Sequence, residues 1–130
     1  MIVLDASAVL EVLLRTSSAA VLEERIFAAG DSLHVPHLLD IEVVQVLRRY
    51  CATGEIDGGR GEQAILDLTD LPLTRYPHDI LLPRVWELRH NLTAYDAVYV
   101  ALAEALDAPL ITRDARLASA PGHSAKVELL

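Results

Sequence analysis

Residues 92–117, LTAYDAVYVALAEALDAPLITRDARL, constrain the fold more than any other stretch of the chain. Val98, Val100, Ala101, Leu102, Ala105 and Leu106 have the spacing of a largely buried helix that begins near Asp96. A tight turn follows. Pro109-Leu110-Ile111-Thr112 then reads as a short buried strand, and Asp114 opens another helix. Helix, turn, strand and helix in such quick succession belong to an α/β fold. In these folds helix starts and strand ends meet along one edge of the sheet, where ligands bind. Asp96 and Asp114 are therefore expected to face one cleft.

The rest of the chain repeats this grammar. Ile2-Val3-Leu4 is an all-apolar strand, as expected for a parallel sheet buried on both faces. Asp5 ends it. Ser7 is expected to cap a helix over residues 8–15, which leaves Asp5 free to point into the cleft. A second helix spans about residues 18–29 and stops at Gly30. Residues 33–36 form a strand or extended segment, and a third helix spans residues 38–53. Its apolar positions Leu39, Val43, Val46, Leu47 and Tyr50 make a core stripe, with Glu42 beside it. Gly58-Gly59-Arg60-Gly61 reads as a turn before a fourth helix that runs to about residue 70. Residues 73–76 form another strand. Asp79 and Pro83 open a helix to about residue 92, and residues 125–129 make a last strand. Strands alternating with helices imply a three-layer α/β/α domain around a mostly parallel sheet, with right-handed crossovers. No repeat or linker interrupts it, so residues 1–130 are expected to form one domain.

Bulk properties narrow the function classes. At 52% hydrophobic and 5% aromatic residues, the core is rich in Leu, Val and Ala. The single Cys51 excludes an internal disulfide framework and a cysteine-cluster zinc site. Asp5 and Glu11 interrupt the first apolar run, so no signal peptide of the usual kind is expected there. No apolar run reaches the ~18 residues of a membrane span. A formal net charge of −8 argues against broad electrostatic binding of nucleic acid. It leaves room for a nuclease whose carboxylates contribute several of those charges.

Four acids, Asp5, Glu42, Asp96 and Asp114, are the candidate site. Each alone has a structural explanation. Asp5 could be a turn residue. Asp96 lies in a first helical turn, where the macrodipole favours it. Asp114 could cap residues 115–119. Glu42 could lie at the edge of its stripe and reach solvent or Arg49. As a set they are harder to explain that way, because three of them stand at equivalent strand or helix ends. Hard oxygen donors suit Mg²⁺ or Mn²⁺, and such ions drive phosphodiester hydrolysis. His34, His37, His78, His90 and His123 offer no i, i+4 pair, which argues against a zinc hydrolase. No Gly-x-Ser-x-Gly elbow is present.

The chain resembles the PIN-domain family, specifically the VapC-type ribonuclease toxins of toxin–antitoxin pairs. The resemblance rests on Val3-Leu4-Asp5-Ala6-Ser7-Ala8 and on Pro36 to Val43 with Leu47-Arg48-Arg49. It rests equally on Thr93 to Tyr99 with Ala101-Leu102-Ala103, and on Leu110-Ile111-Thr112-Arg113-Asp114 with Leu117. It covers essentially the whole chain. It implies a cytoplasmic, Mg²⁺- or Mn²⁺-dependent endoribonuclease that cuts tRNA or rRNA. Asp5, Glu42, Asp96 and Asp114 match the family's acidic, metal-binding positions, and Ser7 and Thr112 match its supporting polar ones. Glu42 fits the spacing to Leu47-Arg48-Arg49 better than Asp40 does. Arg113 and Arg116, flanking Asp114, are candidate RNA contacts. The resemblance also implies a homodimer and a VapB-type antitoxin that occludes the site in a heterotetramer or larger complex. Operator DNA would be bound only through that antitoxin.

Two other readings compete. A haloacid-dehalogenase-type phosphatase also starts with strand-Asp, but by resemblance to that family it needs a second Asp where this chain has Ser7. A non-catalytic scaffold, receiver-like in size and layers, would bind only a protein partner. Receiver domains have paired acids after the first strand and a late Lys, and Lys126 is badly placed for that role.

Overall fold

A computed structural model describes residues 1–130. Five strands, β1 (Ile2–Leu4), β2 (Leu33–Pro36), β3 (Leu73–Tyr76), β4 (Leu110–Thr112) and β5 (Val127–Leu129), form one sheet in the order β3-β2-β1-β4-β5. All its pairings are parallel. Every residue of β1, β2 and β4 is buried, whereas the edge strands β3 and β5 are half-exposed. That is why the central strands are mostly apolar rather than alternating, with His34 and Thr112 as their buried polar residues.

The helices are α1 (Ala6–Leu14), α2 (Ala19–Phe27), α3 (Leu38–Ala52), α4 (Gly58–Asp70), α5 (Leu82–Glu87), α6 (Ala94–Leu106) and α7 (Ala115–Ser119). They cover the sheet on both sides in a three-layer α/β/α arrangement. α1 to α4 pack among themselves, while α6 lies along β1, β2 and β4 with α5 against it. No helix is long and apolar enough to cross a membrane.

The sheet grows outward from β1 in two directions. The chain first builds β2 and β3 on one side, then returns to build β4 and β5 on the other. The strand order therefore reverses between β1 and β4, and a crevice opens there beyond the strands' carboxyl ends. Asp5 follows β1 directly, and Thr112 ends β4.

Several boundaries differ from the sequence expectation. Helix α1 starts two residues early, because Asp5 and not Ser7 is its N-cap: Asp5 Oδ1 accepts the Ala8 amide at 3.0 Å. The glycines at 58–61 lie inside the first turn of α4, which Asp57 caps by accepting from the Arg60 amide. Gly61 is there for close approach rather than for a turn. A Cβ at that position would sit 3.0 Å from Cys51 Sγ, so α4 packs against α3 through the missing side chain. The helix expected up to residue 92 is a short 3₁₀ turn (Asp79–Leu81) joined to α5, which ends at Glu87. Leu88 and Leu92 nevertheless stay buried, so the apolar spacing reported burial correctly and helix length incorrectly.

Candidate active site

Asp5 anchors the site. It is 6% exposed, and both of its carboxylate oxygens are held. Oδ1 accepts from Ser7 Oγ at 2.7 Å as well as from the Ala8 amide, and Oδ2 accepts from Thr112 Oγ1 at 2.5 Å. The β1–β4 pairing brings Thr112 across, with Leu4 opposite Ile111. Ser7 Oγ also accepts the Arg113 amide, and Thr112 Oγ1 accepts the Asp114 amide. Ser7 and Thr112 therefore fasten the β4–α7 loop to Asp5, and that loop carries Asp114. Burial is the main influence on Asp5 and pushes its pKa up, while the two hydroxyls pull it back.

Asp114 caps α7 by accepting the Arg116 amide. Asp96 lies in the first turn of α6, whose N-cap is Thr93. Its pKa is raised first by burial and then by the charge of Asp114, with Arg116 opposing. Glu42, one turn into α3, is half-buried. Its pKa is likewise raised by burial, while a hydrogen bond from Tyr99 lowers it and the charges of Asp96 and Asp5 raise it. At the carboxyl edge of the sheet the charge of Asp114 thus acts on Asp5 and Asp96, and the charges of Asp96 and Asp5 act on Glu42.

The nearby cations do little to neutralise this cluster. Arg75 on β3 grips Asp40 through two hydrogen bonds of 2.8 and 3.1 Å, so Asp40 is already neutralised, whereas Glu42 has no cationic partner. Arg113, a candidate RNA contact, is committed elsewhere. Its guanidinium pairs with Glu11 at 3.3 Å and donates to Leu130 O and Ser18 Oγ. It ties α1 to the start of α2 and to the last residue of the chain. Arg116 is different: its side chain is 88% exposed and only loosely paired with Asp114 at 3.6 Å.

Several carboxylates with little positive charge among them are the kind of donors a hard divalent cation takes. The spacing is looser than a finished coordination shell, since no trio of His, Cys, Asp or Glu stands at ligating distance. Asp5 is preset by its hydroxyls, and the residues that would hold an ion with it are Glu42, Asp96 and Asp114. The residues present fit such an ion in kind and in charge.

Sequence reasoning missed Tyr99, Glu11 and the Arg75–Asp40 pair. Tyr99 carried a readable signal, because it lies three residues after Asp96 and so on the same helix face. Glu11 did not, since its partner Arg113 is near only in the folded chain. A cavity of about 350 Å³ between α1 and α3, lined in part by Leu10, Val46 and Tyr50, adjoins the site through Ser7 and Arg113.

The family profile described as the PIN domain matches residues 2–122. The chain belongs to the PIN-domain family. VapC ribonuclease Mb0985 of Mycobacterium bovis is 47% identical over 117 residues, covering 90% of this chain and 88% of that protein. Ribonuclease VapC1 of Mycobacterium tuberculosis is 43% identical over 129 residues, 98% and 96% of the two chains. The crystal structure of VapBC2 from Rickettsia felis bound to a DNA fragment from their promoter contains a chain that superposes with a TM-score of 0.70. The overlay covers 99% of this PIN domain and 98% of that chain at 14% identity. At that identity the likeness speaks for the fold alone.

Proposed function

We propose that this PIN domain is a VapC-type endoribonuclease toxin, active as one domain with Mg²⁺ or Mn²⁺ held by Asp5, Glu42, Asp96 and Asp114. The observation that carries the reading is the buried Asp5 carboxylate, held on both oxygens at the strand-order reversal and close enough to Asp114 and Glu42 for their charges to act on one another. The VapC ribonucleases that resemble this chain over nearly its full length support the same activity.

When bound, a divalent cation supplies Lewis acidity toward the phosphate and a lower pKa for the attacking water. The chain's own residues do the rest. Asp5 already accepts three hydrogen bonds, from Ser7, Ala8 and Thr112, which leaves Oδ2 one acceptor position, the one that would meet the ion. Its task is positioning. Glu42 accepts only one protein hydrogen bond, and Asp96 has its pKa raised by burial. These two keep acceptor capacity for the water's proton, and general-base help of this kind is worth about 10²- to 10⁴-fold. Arg116, exposed beside Asp114, is placed to meet an RNA phosphate.

The substrate is a structured cellular RNA, tRNA or rRNA. The partner is a VapB-type antitoxin, which closes the acidic cleft of a homodimer in a heterotetramer or larger assembly. A net charge of −8 suits this division, in which operator DNA is held by the antitoxin. The deciding experiment is a cleavage assay of antitoxin-free protein on total RNA, with Mg²⁺, with Mn²⁺, with chelator and with Asp96→Asn. Discrete, metal-dependent fragments that vanish in the variant establish activity and site together. No cleavage and no Mn²⁺ uptake selects a non-catalytic scaffold instead.

A further inference from the structure

Helix α6 is buried along its middle, from Ala97 to Ala103, and almost every side chain there is aliphatic. Tyr99 is the exception. It is 2% exposed and is the largest of the fully buried side chains. A buried phenol without a partner is costly, so its hydroxyl calls for an explanation that packing does not give. Phenylalanine would fill the same space.

The hydroxyl has one hydrogen bond, donated to Glu42 Oε1 at 2.5 Å. Glu42 has no other protein partner. Its Oε2 is neither bonded nor sealed from solvent. The nearest acid on the same helix, Asp40, is fixed by Arg75. Asp5 differs again, with hydrogen bonds to both oxygens. Glu has a long side chain with several rotamers, and this phenol is the one group that hydrogen-bonds it. Tyr99 also follows Asp96 by three positions on one helix, so both groups move as a unit.

We propose that Tyr99 is the positioning residue for Glu42, aiming its free oxygen at the ion-binding cleft and fixing its distance from Asp96. The proposal rests on the reading of Glu42 as one of the site's metal-binding acids. A single rigid helix then delivers one acid directly and orients a second through a buried hydroxyl. Outer partners of this kind commonly govern metal affinity as strongly as some ligands do.

The test uses the full chain as wild type, Tyr99→Phe, Glu42→Ala and the double variant. Mn²⁺ affinity is read by calorimetry and fold integrity by thermal melting. Tyr99→Phe is expected to melt close to wild type and to bind Mn²⁺ about tenfold more weakly. In the Glu42→Ala background the same change is expected to cost nothing more, because no carboxylate remains to be aimed. An unchanged affinity in Tyr99→Phe, or an equal loss with and without Glu42, overturns the proposal. If wild type takes up no Mn²⁺, the metal reading of the site fails. The positioning claim is then decided by a crystal structure of metal-free Tyr99→Phe. Glu42 spread over several conformers supports it, and an unmoved Glu42 carboxylate overturns it.

Discussion

The Thr112 hydroxyl donates to Asp5 Oδ2 across the β1–β4 pair and at the same time accepts the Asp114 amide. One side chain therefore fixes the orientation of one acid and the loop of another. Thr112→Val keeps the shape and removes the hydroxyl. Cleavage is expected to fall about 10- to 100-fold, with Thr112→Ser close to wild type. Rates measured on one RNA at saturating metal decide it. Equal activity in Thr112→Val would leave the hydroxyl without a role.

Asp40 and Glu42 sit two positions apart on α3, and the fold gives them opposite duties. Glu42→Gln is expected to abolish cleavage with little change in melting temperature. Asp40→Asn loses a partly exposed ion pair with Arg75, worth about 0.2–1 kcal/mol after screening, and is expected to keep its activity. The comparison is a cleavage assay beside a thermal melt. Loss of activity in Asp40→Asn alone would move the α3 acid to that position.

The site opposes the stability of the metal-free fold. Asp5, Glu42 and Asp96 all have raised pKa values, chiefly through burial. A carboxyl raised in the folded state holds its proton longer than it does in the unfolded chain. It thus favours folding below the ordinary carboxylate range, and that contribution is lost as pH rises through the raised values. Asp5→Asn is accordingly expected to melt above metal-free wild type at neutral pH. Its advantage should disappear below the ordinary Asp value of 3.8. Mn²⁺ should raise the melting temperature of wild type and leave Asp5→Asn unmoved. Melts from pH 3 to 8 with and without Mn²⁺ check all three statements.

Away from the site the sign reverses. Glu104 on α6 accepts from Arg84 Nε and Nη2 and from the amide and hydroxyl of Ser124. The Arg84 hydrogen bonds lead in holding its pKa down to about 2. This contribution is present above the ordinary Glu value of 4.5 and is lost as pH falls toward about 2. Glu104→Gln is expected to destabilise by about 2 kcal/mol near neutral pH, with the difference from wild type shrinking in acid. Urea unfolding at pH 7 and pH 3 measures it.

The two arginines flanking Asp114 are expected to separate cleanly. Arg113→Ala removes the partner of Glu11, Ser18 and Leu130 and should lower the melting temperature. Arg116→Ala should leave it unchanged and weaken RNA binding, with a smaller dependence on salt. A binding series in rising salt, with a chelator present to prevent cutting, reads the second effect.

The sequence by itself determined the sheet's composition and the family. The short runs Ile2-Val3-Leu4 and Leu110-Ile111-Thr112, each closed by turn residues, read as strands buried on both faces. The positions of Asp5 and Asp114 just past those strands, and of Asp96 at a helix start, followed, because local periodicity and chain punctuation carry that information. The tertiary structure decided what long-range partners decide. It made Asp5 both helix cap and site anchor, because Thr112 arrives beside it only when β4 pairs with β1. It paired Asp40 with Arg75, which lies on a neighbouring strand, and left Glu42 with Tyr99. It withdrew Arg113 from the surface, because Glu11 and Ser18 fold around it. A hydrogen bond between residues far apart in the chain leaves no mark on local periodicity, and the chemistry of this site is built from such bonds.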